Sequence, residues 1–364
     1  MTSPAEVRRA DPEEGAPAWE ARFRAPRTFW VQTAANRPDR GIVCTNATGV
    51  YQLHRWMVGE PLGDPITTEP TGRTFGRISH DGEWVYWLAD QAGDEHGHFV
   101  AAPWSGGDPV DLTPDLPAYA SFAAAAGADG AFATSVIGPD RVQIAVVPWV
   151  GDRPGTRPTL LDPGPGFVTN LVVGPGAIAL STTGGGGLST RLRVLDAATG
   201  DARVDVSHAP GSITPIAYAR TGRLLAQTDR SGQLRPLLVD PDGTVREIEA
   251  PDQPGSVAAV DIAADGGTAL VLLSYRTVEQ LAVLDVESGS IRPLECVSGT
   301  FTSFSPSGGA LLRPDGTAIV TRENGTTLPE VIHVDVEHDR VLRVLLRAPE
   351  TPASRPCRSV DIPS

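Results

Sequence analysis

The stretch from Arg77 to Thr113, RISHDGEWVYWLADQAGDEHGHFVAAPWSGGDPVDLT, decides the fold. A short apolar start meets an Asp81-Gly82 turn, and the run GEWVYWLA follows. An acidic turn at Asp94-Glu95 leads into a third apolar run, and Gly106-Gly107 turns the chain into a last short segment. Runs rich in β-branched and aromatic residues, bounded by Gly, Asp and Pro, read as strands. The residues from Val257 to Glu295, VAAVDIAADGGTALVLLSYRTVEQLAVLDVESGSIRPLE, follow the same plan with different side chains.

Working outward, similar units begin near Arg77, Ser121, Val168, Thr214, Val257 and Thr300, at spacings of 44, 47, 46, 43 and 43 residues. An earlier unit runs from about Thr28 to Thr67 and makes seven. About four short strands per ~45 residues is the arithmetic of a propeller blade. The expectation is an all-β chain, a seven-bladed β-propeller with about four antiparallel strands per blade. A solenoid or a pair of sandwiches does not predict that spacing. Helical periodicity over 11 or more residues is hard to find after residue 28. Residues 1–27 read as an N-terminal tail, 28–346 as the propeller and 347–364 as a linker-like tail.

The segments WEARFRAPRTF, NRPDRGIVCTNATGVYQLHRW and RISHDGEWVYWLADQAGDEHGHF, with the Asp-Gly turns, resemble the propeller of prolyl oligopeptidase-family serine peptidases. In that family the propeller precedes an α/β-hydrolase domain with a Ser-Asp-His triad, and it covers the active site and filters substrates. The given residues carry no G-x-S-x-G nucleophile elbow. The nearest string, Gly187-Leu-Ser189-Thr-Arg191, lacks the second glycine. No triad residue can therefore be carried over. The expectation is a propeller without its hydrolase, and so not a serine peptidase by itself.

Charge narrows the partners. The net charge of −14 argues against nucleic acid and against an anionic membrane surface. All 30 basic residues are arginine, so a catalytic lysine is excluded. Cys44, Cys296 and Cys357 are odd in number and fit neither a zinc site nor a disulfide framework, which points to a reducing cytoplasm. The N-terminal residues hold no signal-peptide h-region.

One repeated position suggests a pocket. The residues at the start of each first strand are Trp30, Phe75, Tyr119, Phe167, Ile213, Val257 and Phe301. Five of the seven are aromatic, against 6% aromatic residues in the chain. Near one mouth of the central channel they would form an apolar ring suited to a hydrophobic small molecule. The competing reading places each of them in the core between blades. The cluster Asp94, Glu95, His96 and His98, with His80 upstream, reads as a polar turn rather than a metal site, and no metal or cofactor is expected. His98 is an acid–base candidate if it faces the channel. Gly184–Gly187 lacks the Gly-Lys-Ser/Thr of a phosphate loop.

Two functions follow from this. One is a small-molecule-binding propeller, extending to a cofactor-free cyclase or isomerase of bacterial secondary metabolism. The other is a non-catalytic scaffold that docks a separately encoded hydrolase or another protein.

Overall fold

A computed structural model describes residues 5–6, 20, 24–90, 93–183, 189–250, 253–276, 278–301 and 309–348. Seven small antiparallel sheets form a ring, each built from consecutive strands with the first strand innermost. Blade 1 comprises Thr28–Thr33, Arg40–Thr45 and Gln52–Met57, and blade 2 comprises Arg77–Ile78, Trp84–Asp90, Gly97–Pro103 and Val110–Asp111. Blade 3 comprises Ala124–Ala126, Phe132–Ile137, Val142–Val147 and Thr159–Leu161. The inner strands of blades 4 to 7 are Val168–Gly174, Ile213–Tyr218, Ser256–Ile262 and Ala310–Leu312. This is the seven-bladed propeller that the repeat predicts.

Three blades depart from the plain four-stranded plan. Blade 1 has three strands, and a single bridge from His54 to Pro65 marks the place of a fourth, because proline cannot donate to a ladder. Blade 3 carries an extra hairpin, Trp149–Val150 with Arg153–Pro154. Part of the expected N-terminal tail is not free: Ala5–Glu6 pair in parallel with Leu346–Arg347 at the outer edge of blade 7. The Gly184–Gly187 run lies outside the described residues, as do Cys357 and the rest of the expected linker from residue 349 onward.

The Asp-Gly turns join first to second strands on one face, here called the turn face. Gly82 and Gly316 sit there at φ +73° and +77°, where a Cβ would be strained. The opposite face, where the inner strands begin, is the strand-start face.

The core is not one mass but seven wedges, one between each pair of neighbouring blades. Trp30, Ile42 and Leu53 meet Ile78, Val85 and Trp87 between blades 1 and 2. Between blades 5 and 6, Leu225, Leu238 and Ile248 meet Val257, Val271 and Leu284. Blade 7 closes onto blade 1 where Ile319, Val331, Leu345 and Leu346 meet Val31, Val43 and Trp56. Side chains leave both faces of a strand, and both faces of each blade turn to a neighbour, so both are apolar.

Candidate functional site

That geometry leaves only the edge of each inner strand to line the channel. An unpaired strand edge presents bare N–H and C=O groups that need partners. Here side chains of the preceding blade supply them. Gln32 Oε1 accepts from Ile78 N at 3.1 Å, linking blade 1 to blade 2. Arg77 Nε donates to Ala124 O at 3.0 Å, and Asn170 Nδ2 to Pro215 O at 2.9 Å. Gln227 Oε1 accepts from Ala259 N at 3.0 Å, and Asp261 Oδ2 from Leu312 N at 2.7 Å. These bonds clasp one blade to the next around much of the ring.

Within the ring, toward the turn face, lies a cavity of about 230 Å³. Every blade contributes to it, through Trp30, Arg77, Ala125, Leu171, Ile216, Asp261 and Leu311 among others. β-Bulges help to shape the wall: the register slips between Pro215 and Ala217 and between Ala259 and Asp261, and the extra residues Ile216 and Val260 both line the cavity. Gly174 makes room for the Tyr218 ring, whose Cγ would lie 2.4 Å from a Cβ at that position.

Asn36 spans the turn-face mouth. Its backbone N donates to His80 O of blade 2 at 2.7 Å, and its Nδ2 to Ala128 O of blade 3 at 3.3 Å. Its Oδ1 accepts from Arg220 of blade 5, which also donates to Ala35 O at 3.0 Å. Four blades are thus tied together across this end of the channel.

Two charged groups sit in the cavity wall. Arg77 is 7% exposed; its Nη1 donates to Gly76 O at 2.8 Å, and its guanidinium lies 4.2 Å over the Phe75 ring. Burial alone pushes its pKa down to about 9. Asp261 accepts from Ile262 N at 2.9 Å as well as from Leu312 N, yet burial raises its carboxyl to about 7.

The seven strand-start residues do not form one ring around this cavity. Trp30 lines it and donates from Nε1 to Thr74 O at 2.8 Å. Tyr119, Ile213, Val257 and Phe301 are at most 1% exposed and belong to the wedges between blades. Phe75 borders a separate pocket of about 380 Å³ on the strand-start face, beside the buried Arg73–Asp90 pair at 2.7 Å. Phe167 is 56% exposed. The reason is directional: a side chain at the start of an inner strand leaves a sheet face, and sheet faces meet blades, not the channel.

His98 does not face the channel either. Its Nδ1 is 2.7 Å from Asp111 Oδ2, and its ring stacks on Tyr119 with centroids 5.9 Å apart. His96 is held by its own turn, with Nδ1 3.0 Å from Asp94 O, and His80 packs edge-on against Trp149. Among the described residues no group of three or more His, Cys, Asp or Glu side chains is placed to hold a metal.

Sequence reasoning missed Arg77, Asp261 and Asn36. Asp261 was visible as a charged residue inside an apolar strand run, whereas Arg77, between Gly76 and Ile78 at a strand start, and Asn36 carried no such signal.

No family model and no curated protein matches the sequence. Solved structures do match the fold. A puromycin hydrolase superposes with a TM-score of 0.67 at 18% identity, over 96% of this chain and 57% of its own. A puromycin-hydrolyzing peptidase of Mycobacterium tuberculosis gives 0.66 at 16% identity over the same shares. Dipeptidyl peptidase 4 of Porphyromonas gingivalis gives 0.56 at 12% identity, over 86% of this chain and 52% of its own. The chain thus has the propeller fold of prolyl oligopeptidase-family peptidases and spans about half the length of the ones it matches.

Proposed function

We propose that this propeller binds a small, largely hydrophobic molecule in the channel cavity. One observation carries the reading: a 230 Å³ space lined mainly by apolar residues from all seven blades, with its turn-face mouth spanned by Asn36 and Arg220. Pockets for small molecules combine apolar walls with a few placed polar groups. Arg77 and Asp261 are such groups. A cavity of this kind can also hold a flexible ligand in a near-reactive conformer, which extends the reading to a cofactor-free cyclase or isomerase. Asp261, with a carboxyl near 7, suits proton transfer close to neutrality. The test is isothermal titration with hydrophobic metabolites against the wild type and Ala217→Trp, which fills the cavity. Heat that persists unchanged in Ala217→Trp would place binding elsewhere and end the reading.

A second reading, docking of a separate α/β-hydrolase, draws support from the strand-start face. Phe122, Phe167, Tyr275 and Val278 are 66%, 56%, 49% and 64% exposed there. Large apolar side chains exposed on one face suit a protein interface. Sedimentation velocity of the propeller mixed with a hydrolase domain, with and without Phe122→Ser and Phe167→Ser, tests it. No complex with the wild type would remove this alternative.

A further inference from the structure

The channel wall holds a cation that no described acidic side chain meets. Arg77 is buried, and no acidic side chain among the described residues pairs with it. Its Nε and Nη1 are committed to the carbonyls of Ala124 and Gly76, and Phe75 supports one face of the guanidinium. These contacts hold the plane of the group and neutralise none of its charge. No protein acceptor among the described residues takes its Nη2, and the residue borders the cavity. Taking a charge out of water is costly unless an opposite charge meets it.

We propose that Arg77 receives the carboxylate of the ligand, so that the cavity selects small monocarboxylates with an apolar body over their neutral analogues. This rests on the channel reading above and adds the chemical class. The remaining wall agrees with an apolar body: Trp30, Leu171, Ile216, Val260 and Leu311 surround the space. An apolar cavity of about 150 Å³ holds benzene. At about 230 Å³ this one has room for an aryl ring and a short acid chain. Asp261 adds direction. Its carboxylate, when ionised, repels a second anionic group, so dicarboxylates are disfavoured.

Asp90 serves as an internal contrast. It pairs with Arg73 at 2.7 Å, and both side chains are at most 9% exposed. Among the described residues a carboxylate thus meets one buried arginine of this region and none meets Arg77. A stacked, planar, pre-oriented guanidinium is also the side chain best matched to a carboxylate.

The experiment compares 3-phenylpropanoate with 3-phenylpropanamide by isothermal titration on the full chain at pH 8. Arg77→Gln and Arg77→Lys are run beside the wild type, with Ala217→Trp as the filled-cavity control. The expected result is at least tenfold tighter binding of the acid than of the amide. That preference should be lost in Arg77→Gln and partly kept in Arg77→Lys. Because the acid–amide comparison is made on the wild type, it stands even if a variant fails to fold. Equal binding of acid and amide, both abolished by Ala217→Trp, overturns the role of Arg77 and leaves the channel reading intact. Binding of neither compound overturns this proposal and counts against the channel reading as well. A preference for the acid that survives in folded Arg77→Gln also overturns the role of Arg77.

Discussion

The wedge between blades 2 and 3 and the seam between blades 7 and 1 close the same angle with different means. In the wedge, Tyr86 stacks on Phe132 with centroids 4.4 Å apart, and Phe99 meets Phe132 at 5.1 Å. The chain runs directly from one blade to the next, so packing needs only to hold neighbours that are already tethered. At the seam the partners lie at opposite ends of the propeller. A smaller cluster around Trp56 is reinforced by polar links. Arg313 donates to Pro38 O at 2.7 Å and Arg27 pairs with Glu323 at 2.9 Å across the seam, while within blade 7 Glu330 accepts from Arg322 at 2.9 Å and from Arg347 at 3.2 Å. The N-terminal part of the chain meets both sides of the seam, with Ala5–Glu6 paired at the edge of blade 7 and Thr28–Thr33 forming the inner strand of blade 1. A closure between distant parts of the chain carries the larger loop entropy, and here contacts of several kinds hold it.

The largest expected effects set these regions against each other. Phe132→Ala and Trp56→Ala should each cost about 3–5 kcal/mol, read from urea denaturation, because both side chains are fully buried. Their signatures should differ in hydrogen exchange. Trp56→Ala should speed exchange in blades 1 and 7 ahead of blades 3 to 5, as a seam opening below the global transition would. Uniform acceleration in both variants would erase the distinction.

Next comes the polar clasp inside blade 7, the blade that closes onto blade 1. Glu330 is 4% exposed and joins two arginines, so Glu330→Ala should cost about 1–3 kcal/mol. A change in urea midpoint within error would show that the backbone ladder holds these three strands of blade 7 unaided.

The clasp between blades 6 and 7 has a pH dependence with a definite sign. Burial holds Asp261 at about 7 in the fold, above its ordinary value of 3.8. Between those values the folded chain binds a proton that the unfolded chain does not. Stability therefore falls as pH rises from about 4 to 7, because the carboxyl ionises in the unfolded chain while the fold keeps it protonated, by at most about 1.4 kcal/mol per pH unit. Asp261→Asn should remove that slope, measured as the difference in thermal midpoint between variant and wild type across this range. A difference that does not vary with pH would show that the wedge solvates the carboxylate.

The smallest effect belongs to Arg27→Ala. The Arg27–Glu323 pair is 41% and 38% exposed, and such pairs contribute about 0–1 kcal/mol. A larger loss would mean that the seam depends on its surface charges.

The repeat was legible because it is local. Strand runs, Asp-Gly turns and their spacing recur within each unit, and the six unit starts from Arg77 onward locate the blades. The last described inner strand begins at Ala310, ten residues after the expected Thr300, with residues 302–308 outside the description. The strand-start aromatics were recognisable as a set, but their direction was not. Alternation assigns a side chain to one of two sheet faces, and in a propeller both faces meet neighbouring blades.

The sequence by itself determined the number of blades, their order and the absence of helical periodicity, since each follows from patterns shorter than one repeat. Only the tertiary structure decided what lines the channel. Ile216 and Val260 reach it through bulges, Asn36 meets Arg220 across 184 residues, and Arg77 borders it with no described acid beside it. Those outcomes depend on how seven sheets tilt and meet around an axis, and no single repeat contains that information.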